Sequence, residues 1–365
     1  MDHSEWLAEG IMVTGLAFVA SAVLIPALRV PATRIGWTDN PCHRKRHVGS
    51  IPLTGGAAMF LAVMLALLVK GSNLVDYSTL MAGMSLLLLL GILDDLHDLK
   101  ATLRLAVQFG VATIAVVWGN LELTQLGQLF GPDYGPVGLG PFSTLFSILC
   151  MVFLINVLNM ADGVDGLAGG IGLLFFVFLA LIAWLNNAPG SLITVSLVMA
   201  ASTAGFLIWN MRFPFRDRAR VFMGDAGSMM LGFAAAWLAM AVATHSAGSG
   251  SVYPISIAWL LLIPSIDTVA LTLRRISLGR SPMSPDRTHL HHILERSGLS
   301  ITATVGLIHL GVLATGLGGI LAWKLGVSEW ILFLVAASAF LGYTMALINA
   351  SKILRWQLRL RRNRV

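Results

Sequence analysis

Two adjacent carboxylates, Asp94 and Asp95, close the apolar run 86–93, with His97 and Asp98 just beyond. Like charges side by side near membrane depth are costly and raise one another's pKa unless a cation stands between them. The pair marks either a cation site or a solvated helix end, and by itself does not choose. A second cluster, 156–170, sets Asn156, Asn159, Asp162 and Asp165 among Gly163, Gly166, Gly169 and Gly170. Amide and carboxylate oxygens suit a hard cation such as Mg²⁺, and glycine lets backbone approach a ligand closely. The bland counterpart is a Gly-rich turn between helices. A third cluster, Phe222-Met223-Gly224-Asp225-Ala226-Gly227-Ser228, opens a further apolar run. Amide hydrogens at such a helix start favour phosphate, and Asp225 could hold a metal against it. Read alone, it also fits an N-capped helix.

The longest polar loop runs from Arg274 and Arg275 through Ser284-Pro285-Asp286-Arg287 to Thr288-His289-Leu290-His291-His292. Its histidines and Arg287 can donate to phosphate oxygens, while imidazoles also bind transition metals. No Cys accompanies them and the acids elsewhere are hard ligands, which favours phosphate over zinc. Near the N-terminus, Asp39-Asn40-Pro41 leads into His43, Arg44, Lys45, Arg46 and His47, ahead of Gly55-Gly56. Lys45 and His47 are candidate contacts for an anionic substrate, although charge does not separate that from anionic lipid. Cys42 and Cys150 form no metal spacing and are expected as free thiols. Asp267, beside Pro264, either supports the site or pairs with Arg274 or Arg275.

These clusters have to be positioned by a membrane protein. Of 365 residues, 56% are hydrophobic and 12% charged, against about a quarter charged in soluble domains. Apolar runs of about 20 residues, the length that crosses a bilayer, fall at 9–30, 51–70, 77–93, 103–119, 141–158, 167–187, 190–209, 223–243, 254–273, 302–323 and 329–350. This predicts an all-α polytopic bundle of about eleven transmembrane helices in one domain over 1–365, with a basic tail at 351–365. Asp2, Glu5 and Glu9 precede the first run without Lys or Arg, the wrong flank for a cleaved signal, so the first helix is expected to stay.

The loops test that count. Of 24 Lys and Arg, only Lys70 and Lys324 fall on one side, and a missed helix would have scrambled such a bias. By the positive-inside rule the basic side is cytoplasmic, so the N-terminus is expected in the periplasm and the C-terminus in the cytoplasm. The tail charges read as topology determinants with some attraction to anionic lipid. All five polar clusters then share the cytoplasmic face. Carboxylates for Mg²⁺, with cations and helix starts for phosphate, point to phosphoryl transfer at a membrane surface.

In order and spacing, Asp39-Asn40-Pro41 with Arg44-Lys45-Arg46-His47 and Gly55-Gly56, then Asp94-Asp95, 156–170, 222–228 and 281–292, resemble the motifs of the polyprenyl-phosphate N-acetylhexosamine-1-phosphate transferases across almost the whole chain. The resemblance is to the bacterial branch that passes GlcNAc-1-phosphate from UDP-GlcNAc to undecaprenyl phosphate with Mg²⁺ or Mn²⁺, releasing UMP. It implies an inner-membrane enzyme that initiates a lipid-linked glycan of the O-antigen or enterobacterial common antigen type. It further implies that Asp225 and Asn159 hold the metal, Phe222 packs on uracil and Asp165 lies near the nucleoside. Asp94 would deprotonate or position the lipid phosphate, Asp95 would support metal or lysine contacts, and His289, His291 and His292 would bind phosphate and sugar. Asp162 joins the catalytic set, and Lys45, His47, Asn156 and Arg287 join the substrate contacts. An anionic phosphate oxygen needs little base assistance, which favours direct attack; an aspartyl-phosphate on Asp94 is the alternative.

The pattern Thr288-His289-Leu290-His291-His292 departs from the three consecutive histidines usual in the MurNAc-pentapeptide branch. UDP-MurNAc-pentapeptide and UDP-GalNAc nevertheless stay open as donors. Val164 stands where relatives often have Ile or Leu, and nothing catalytic depends on it. No nucleic-acid partner is expected, and such a bundle works alone or as a homodimer. A proton- or cation-coupled transporter is the reading from a different class. Transporter acids lie mid-span at broken helices, a position that here only Asp267 occupies. A structural scaffold, the third reading, would tolerate Asn at Asp94, Asp162, Asp165 and Asp225.

Overall fold

The computed structural model describes residues 3–39, 49–71, 77–245, 252–281 and 288–362. Ten helices among the described residues are long and apolar enough to cross a membrane. They lie in α1 His3–Ile35, α3 Ser78–His97, α4 Ala101–Trp118, α5 Ser143–Ala161, α6 Leu167–Leu185, α7 Gly190–Asn210, α8 Gly224–His245, the α9 and α10 pair, α12 Ile301–Lys324 and α13 Glu329–Arg362. Helices are the expected outcome, because hydrocarbon offers no partner to backbone N–H and C=O groups and a helix satisfies them internally. The protein is a polytopic all-α membrane protein.

Three spans depart from the sequence expectation. The run 51–70 yields α2 Gly55–Val69, of 15 residues, which is about 22 Å long against a hydrocarbon core of about 30 Å. Its first residues are extended instead: β2 Ile51–Pro52 pairs antiparallel with β1 Thr38–Asp39. That backbone is not left bare. Phe222 N–H donates to Pro52 O at 2.9 Å and Gly55 N–H to Phe222 O at 3.0 Å, which satisfies the condition for non-helical chain in this setting. The run 254–273 is broken into α9 Pro254–Ala258, a 3-10 turn Trp259–Leu261 and α10 Leu262–Ser277. Finally, α13 does not stop near 350 but continues to Arg362 through the expected tail. A short helix, α11 Leu290–Arg296, follows the His-rich loop.

The core is built around α8, which packs on α2, α3, α5, α6 and α7. Its buried face carries Gly227, Ser228, Gly232, Ala234, Ala235 and Ala236, small residues that let neighbouring backbones come close in a bilayer, where van der Waals packing replaces the hydrophobic drive. Gly91 of α3 lies on the backbone of Ala226, and Gly56 of α2 on that of Gly227, where a Cβ would collide. These contacts bring the first turn of α8 against the end of α3. Large apolar side chains such as Leu89, Val117, Leu145 and Leu321 remain on the outside, as expected of a surface that meets lipid. A separate small cluster joins Ala270 and Leu271 of α10 to Leu347 of α13, with Ile293, Phe340 and Tyr343 around it.

Candidate active site

The end of α3 sets the first part of the site. Asp98 adopts a left-handed conformation (φ 51°) and stops the helix, so the chain reverses within three residues into α4. That reversal places Arg104, one turn into α4, against Asp94: NH1 donates to Oδ2 at 2.6 Å, and the Leu99 N–H donates to Oδ1 at 2.8 Å. Asp94 is 4% exposed. Its neighbour Asp95 points elsewhere, accepting from the backbone N–H of Asp225 at 2.9 Å and from Trp37 Nε1 at 3.3 Å. The N–H it captures is in the first turn of α8, where exposed amides and the helix dipole favour a negative charge. Gly224 (φ 69°) makes this approach feasible, since a Cβ there would strike the Asp95 carboxylate.

Asp225 is the meeting point of three helices. Asn159, near the end of α5, donates from Nδ2 to Asp225 Oδ1 at 2.6 Å and to Ser228 Oγ at 2.9 Å. Arg104 NH1 stands 3.8 Å from Asp225 Oδ2, so one guanidinium lies between Asp94 and Asp225. One turn back along α5, Asn156 donates to Gln108 Oε1 of α4 at 2.7 Å and to Val152 O at 2.8 Å, which ties α5 to α4 beneath the carboxylates.

The Gly-rich turn after α5 supplies the next part. Loss of hydration, followed by the fields of Asp225, Asp95 and Asp165, pushes the carboxyl of Asp162 well above the usual range. A bound cation would remove that penalty. Asp165 is engaged differently, accepting from Arg212 Nε at 2.8 Å and from the Ala219 N–H at 3.0 Å. It pins the segment between α7 and α8. The buried Asn210 does the same, receiving the Gly166 N–H at 2.8 Å and donating to Val221 O at 2.9 Å. Phe222, half-buried, is delivered next to this pin by the Pro52 and Gly55 pairings.

His289 and His291 are both buried, at 8% and 4% exposure. Their rings stack at 5.6 Å and 10°, and His292 leans on His291 at 4.2 Å. Burial, then the neighbouring His292 and His289, pushes the imidazole of His291 down to about 3, so it stays neutral. Its Nε2 points at the Asp162–Gly163 turn, where a Cβ on Gly163 would lie 3.0 Å away. The histidine loop and the carboxylate cluster thus meet across that turn. A small cleft opens beside them, apolar along Val157, Leu167, Ile171 and Ile308 and polar at Asp267, His289 and His291.

The structure therefore gathers Asp94, Asp95, Asn159, Asp162 and Asp225, and sets His289, His291 and His292 alongside. Asn156 and Asp165 lie adjacent, each tied into the framework. Lys45, His47 and Arg287 lie outside the described residues. Arg104, Trp37, Gln108 and Asn210 are residues that sequence reasoning missed. Arg104 counts in the sequence only as a topology charge, yet it and Gln108 are four apart on an otherwise apolar helix and so share a face. Asp267 pairs with neither Arg274 nor Arg275 but with His289 Nδ1, at 2.9 Å. Cys150 is a free thiol, as expected.

The donor set fits Mg²⁺. Asp225, Asn159 and Asp95 offer only oxygens as ligands, and among the described residues no group of three or more His, Cys, Asp and Glu is built to hold a metal on its own. Mg²⁺ takes one or two carboxylates and fills its remaining positions with water and substrate phosphates.

The sequence model of glycosyl transferase family 4 matches residues 77–243, which hold Asp94, Asn159 and Asp225. A curated relative from Escherichia coli O157:H7, an undecaprenyl-phosphate alpha-N-acetylglucosaminyl 1-phosphate transferase, is 33% identical over 352 residues, 95% of this chain and 94% of its own. A transferase of the same name from Haemophilus influenzae is 33% identical over 95% of this chain and 96% of its own.

Proposed function

The chain belongs to glycosyl transferase family 4, and from that premise we propose that it transfers GlcNAc-1-phosphate from UDP-GlcNAc to undecaprenyl phosphate, giving undecaprenyl-diphospho-GlcNAc and UMP. A phosphate oxygen of the lipid attacks the sugar-linked phosphorus, the bond to the oxygen of UMP breaks, and UMP leaves with that electron pair. The observation that carries this reading is the convergence of Asp94, Asp95, Asn159, Asp225 and Arg104 from the ends of α3, α4, α5 and α8.

Asp225 and Asn159, with Asp95 beside them, would hold Mg²⁺. When bound, the ion supplies charge neutralisation for the diphosphate. Arg104 adds a positive charge on the same side, and the N-terminal end of the α8 dipole, where Asp95 already holds the Asp225 N–H, favours negative charge there. Asp94 already shares Arg104, so an incoming phosphate competes for that guanidinium and leaves the Asp94 carboxylate free to orient the nucleophile. The histidine loop and the cleft beside it close the opposite flank. The active site faces the cytoplasm of the bacterial inner membrane, as the placement of the basic residues supports.

Purified protein incubated with undecaprenyl phosphate, Mg²⁺ and, separately, UDP-GlcNAc, UDP-GalNAc or UDP-MurNAc-pentapeptide should release UMP with UDP-GlcNAc preferred. Release from none of the donors refutes the reaction, and preference for another donor refutes the sugar. Chelation with EDTA should stop turnover and added Mg²⁺ should restore it.

A further inference from the structure

We propose that Asp267 is a positioning residue that fixes the imidazole of His289 and, through it, the histidine loop against the Asp162–Gly163 turn. The inference rests on the transferase reading and adds to it a residue outside the carboxylate cluster. An acid within a membrane helix is costly and calls for a reason. Asp267 of α10, 9% exposed, has one in each oxygen. Oδ2 receives His289 Nδ1 at 2.9 Å, and Oδ1 receives the Leu290 N–H at 3.1 Å together with the Tyr343 hydroxyl. One carboxylate thus holds both the ring and the backbone where the loop enters α11, and Tyr343 of α13 holds the carboxylate.

The partners also fix the tautomer. A carboxylate only accepts, so Nδ1 of His289 carries the hydrogen; Arg275 NH2, 3.4 Å from Nε2, donates there, so Nε2 presents its lone pair. Orientation then passes along the stack, because His289 lies parallel to His291 and His291 abuts Gly163. Replacing Asp267 by Asn keeps the shape and can keep the bonds from Leu290 and Tyr343. It puts an N–H2 or a weaker acceptor opposite Nδ1, which loosens the ring and admits the other tautomer.

The test uses full-length protein in nanodiscs with UMP release as the readout. Asp267→Asn is expected to lower kcat by about 10- to 100-fold, the range for removing a group that orients a functional histidine. Tyr343→Phe, which keeps the ring, is expected to lower it by about 2- to 10-fold, the worth of one hydrogen bond. In a His289→Gln background, Asp267→Asn should add less than about two-fold, because the residue through which it acts is already gone. An equal loss in both backgrounds, or full activity of Asp267→Asn, overturns the proposal. Should Asp267→Asn fail to insert, the same comparison made with Tyr343→Phe decides it. A wild type that releases no UMP overturns both this inference and the transferase reading, whereas equal losses in the two backgrounds overturn the positioning role alone.

Discussion

Arg104→Ala isolates the buried contact at the heart of the cluster. The Asp94 side chain is 2% exposed and loses its partner at 2.6 Å, keeping only the Leu99 N–H at 2.8 Å. Removing one member of a fully buried ion pair costs about 3–5 kcal/mol. The Arg104 side chain is 30% exposed, so water enters the gap and the cost falls toward the about 1.5–3 kcal/mol of a charge-assisted hydrogen bond. Equilibrium unfolding in mixed micelles, followed by the fluorescence of the 10 tryptophans, measures it. The control is Asp94→Asn in the same background: with no carboxylate left to strand, Arg104→Ala/Asp94→Asn should regain more than half of the lost stability while UMP release stays absent. A double variant as unstable as Arg104→Ala, or an Arg104→Ala protein as stable as wild type, would refute the assignment of Arg104 as the counter-ion of Asp94.

Other perturbations reach the rest of the site. Asp225→Asn should leave insertion intact and lower UMP release by at least about 100-fold, since it removes the carboxylate charge through which Mg²⁺ is chiefly held; near-normal turnover would remove Asp225 from the metal site. Gly91→Ala forces a methyl onto the backbone of Ala226, and overpacking of this kind costs about 1–3 kcal/mol; activity should fall with it, as α8 is pushed off α3, and an unchanged unfolding midpoint counts against the close packing. His291 gives a pH dependence. The unfolded chain takes a proton near 6.5 while the folded ring refuses it until about 3, so its contribution is complete above pH 6.5 and is lost as pH falls. At pH 5 the loss is about 2 kcal/mol, and His291→Gln should flatten that part of the stability profile; an unaltered slope would contradict the neutral, buried ring.

Most helices were legible in the sequence because about 20 apolar residues in succession have no alternative in a bilayer. Where the reading slipped, local hydropathy was blind to tertiary pairing. Ile51 and Leu53 are as apolar as any helical residue, but pairing of Ile51 and Pro52 with Thr38 and Asp39, the Leu53 N–H on Trp37 O and the Phe222 N–H on Pro52 O hold that stretch extended. The carboxylates were legible as types in costly places. Their grouping followed from the charge bias, which put every cluster on one face. Arg104 was not legible, because a lone cation at the start of an apolar helix serves topology equally well, and only the left-handed turn at Asp98 shows that it faces Asp94. Asp267 stayed ambiguous for a similar reason: its partners His289 and Tyr343 are 22 and 76 residues away in the chain.

The contacts of Gly91 with Ala226 and of Gly56 with Gly227 have a consequence for motion. With backbone resting on backbone, no side chain at those points can change rotamer to open a gap, so the first turn of α8 is a fixed jaw. Across the site, α10 and α13 share a second, small core of Ala270, Leu271 and Leu347 with Ile293 of α11 against it, and α11 meets the main core through the side chains of Leu290 and Leu294 rather than backbone on backbone. Breathing that admits a nucleotide and lets UMP out therefore belongs to the histidine side. Amide exchange should be slower at 225–229 than at 290–296, with substrate slowing the second segment far more than the first.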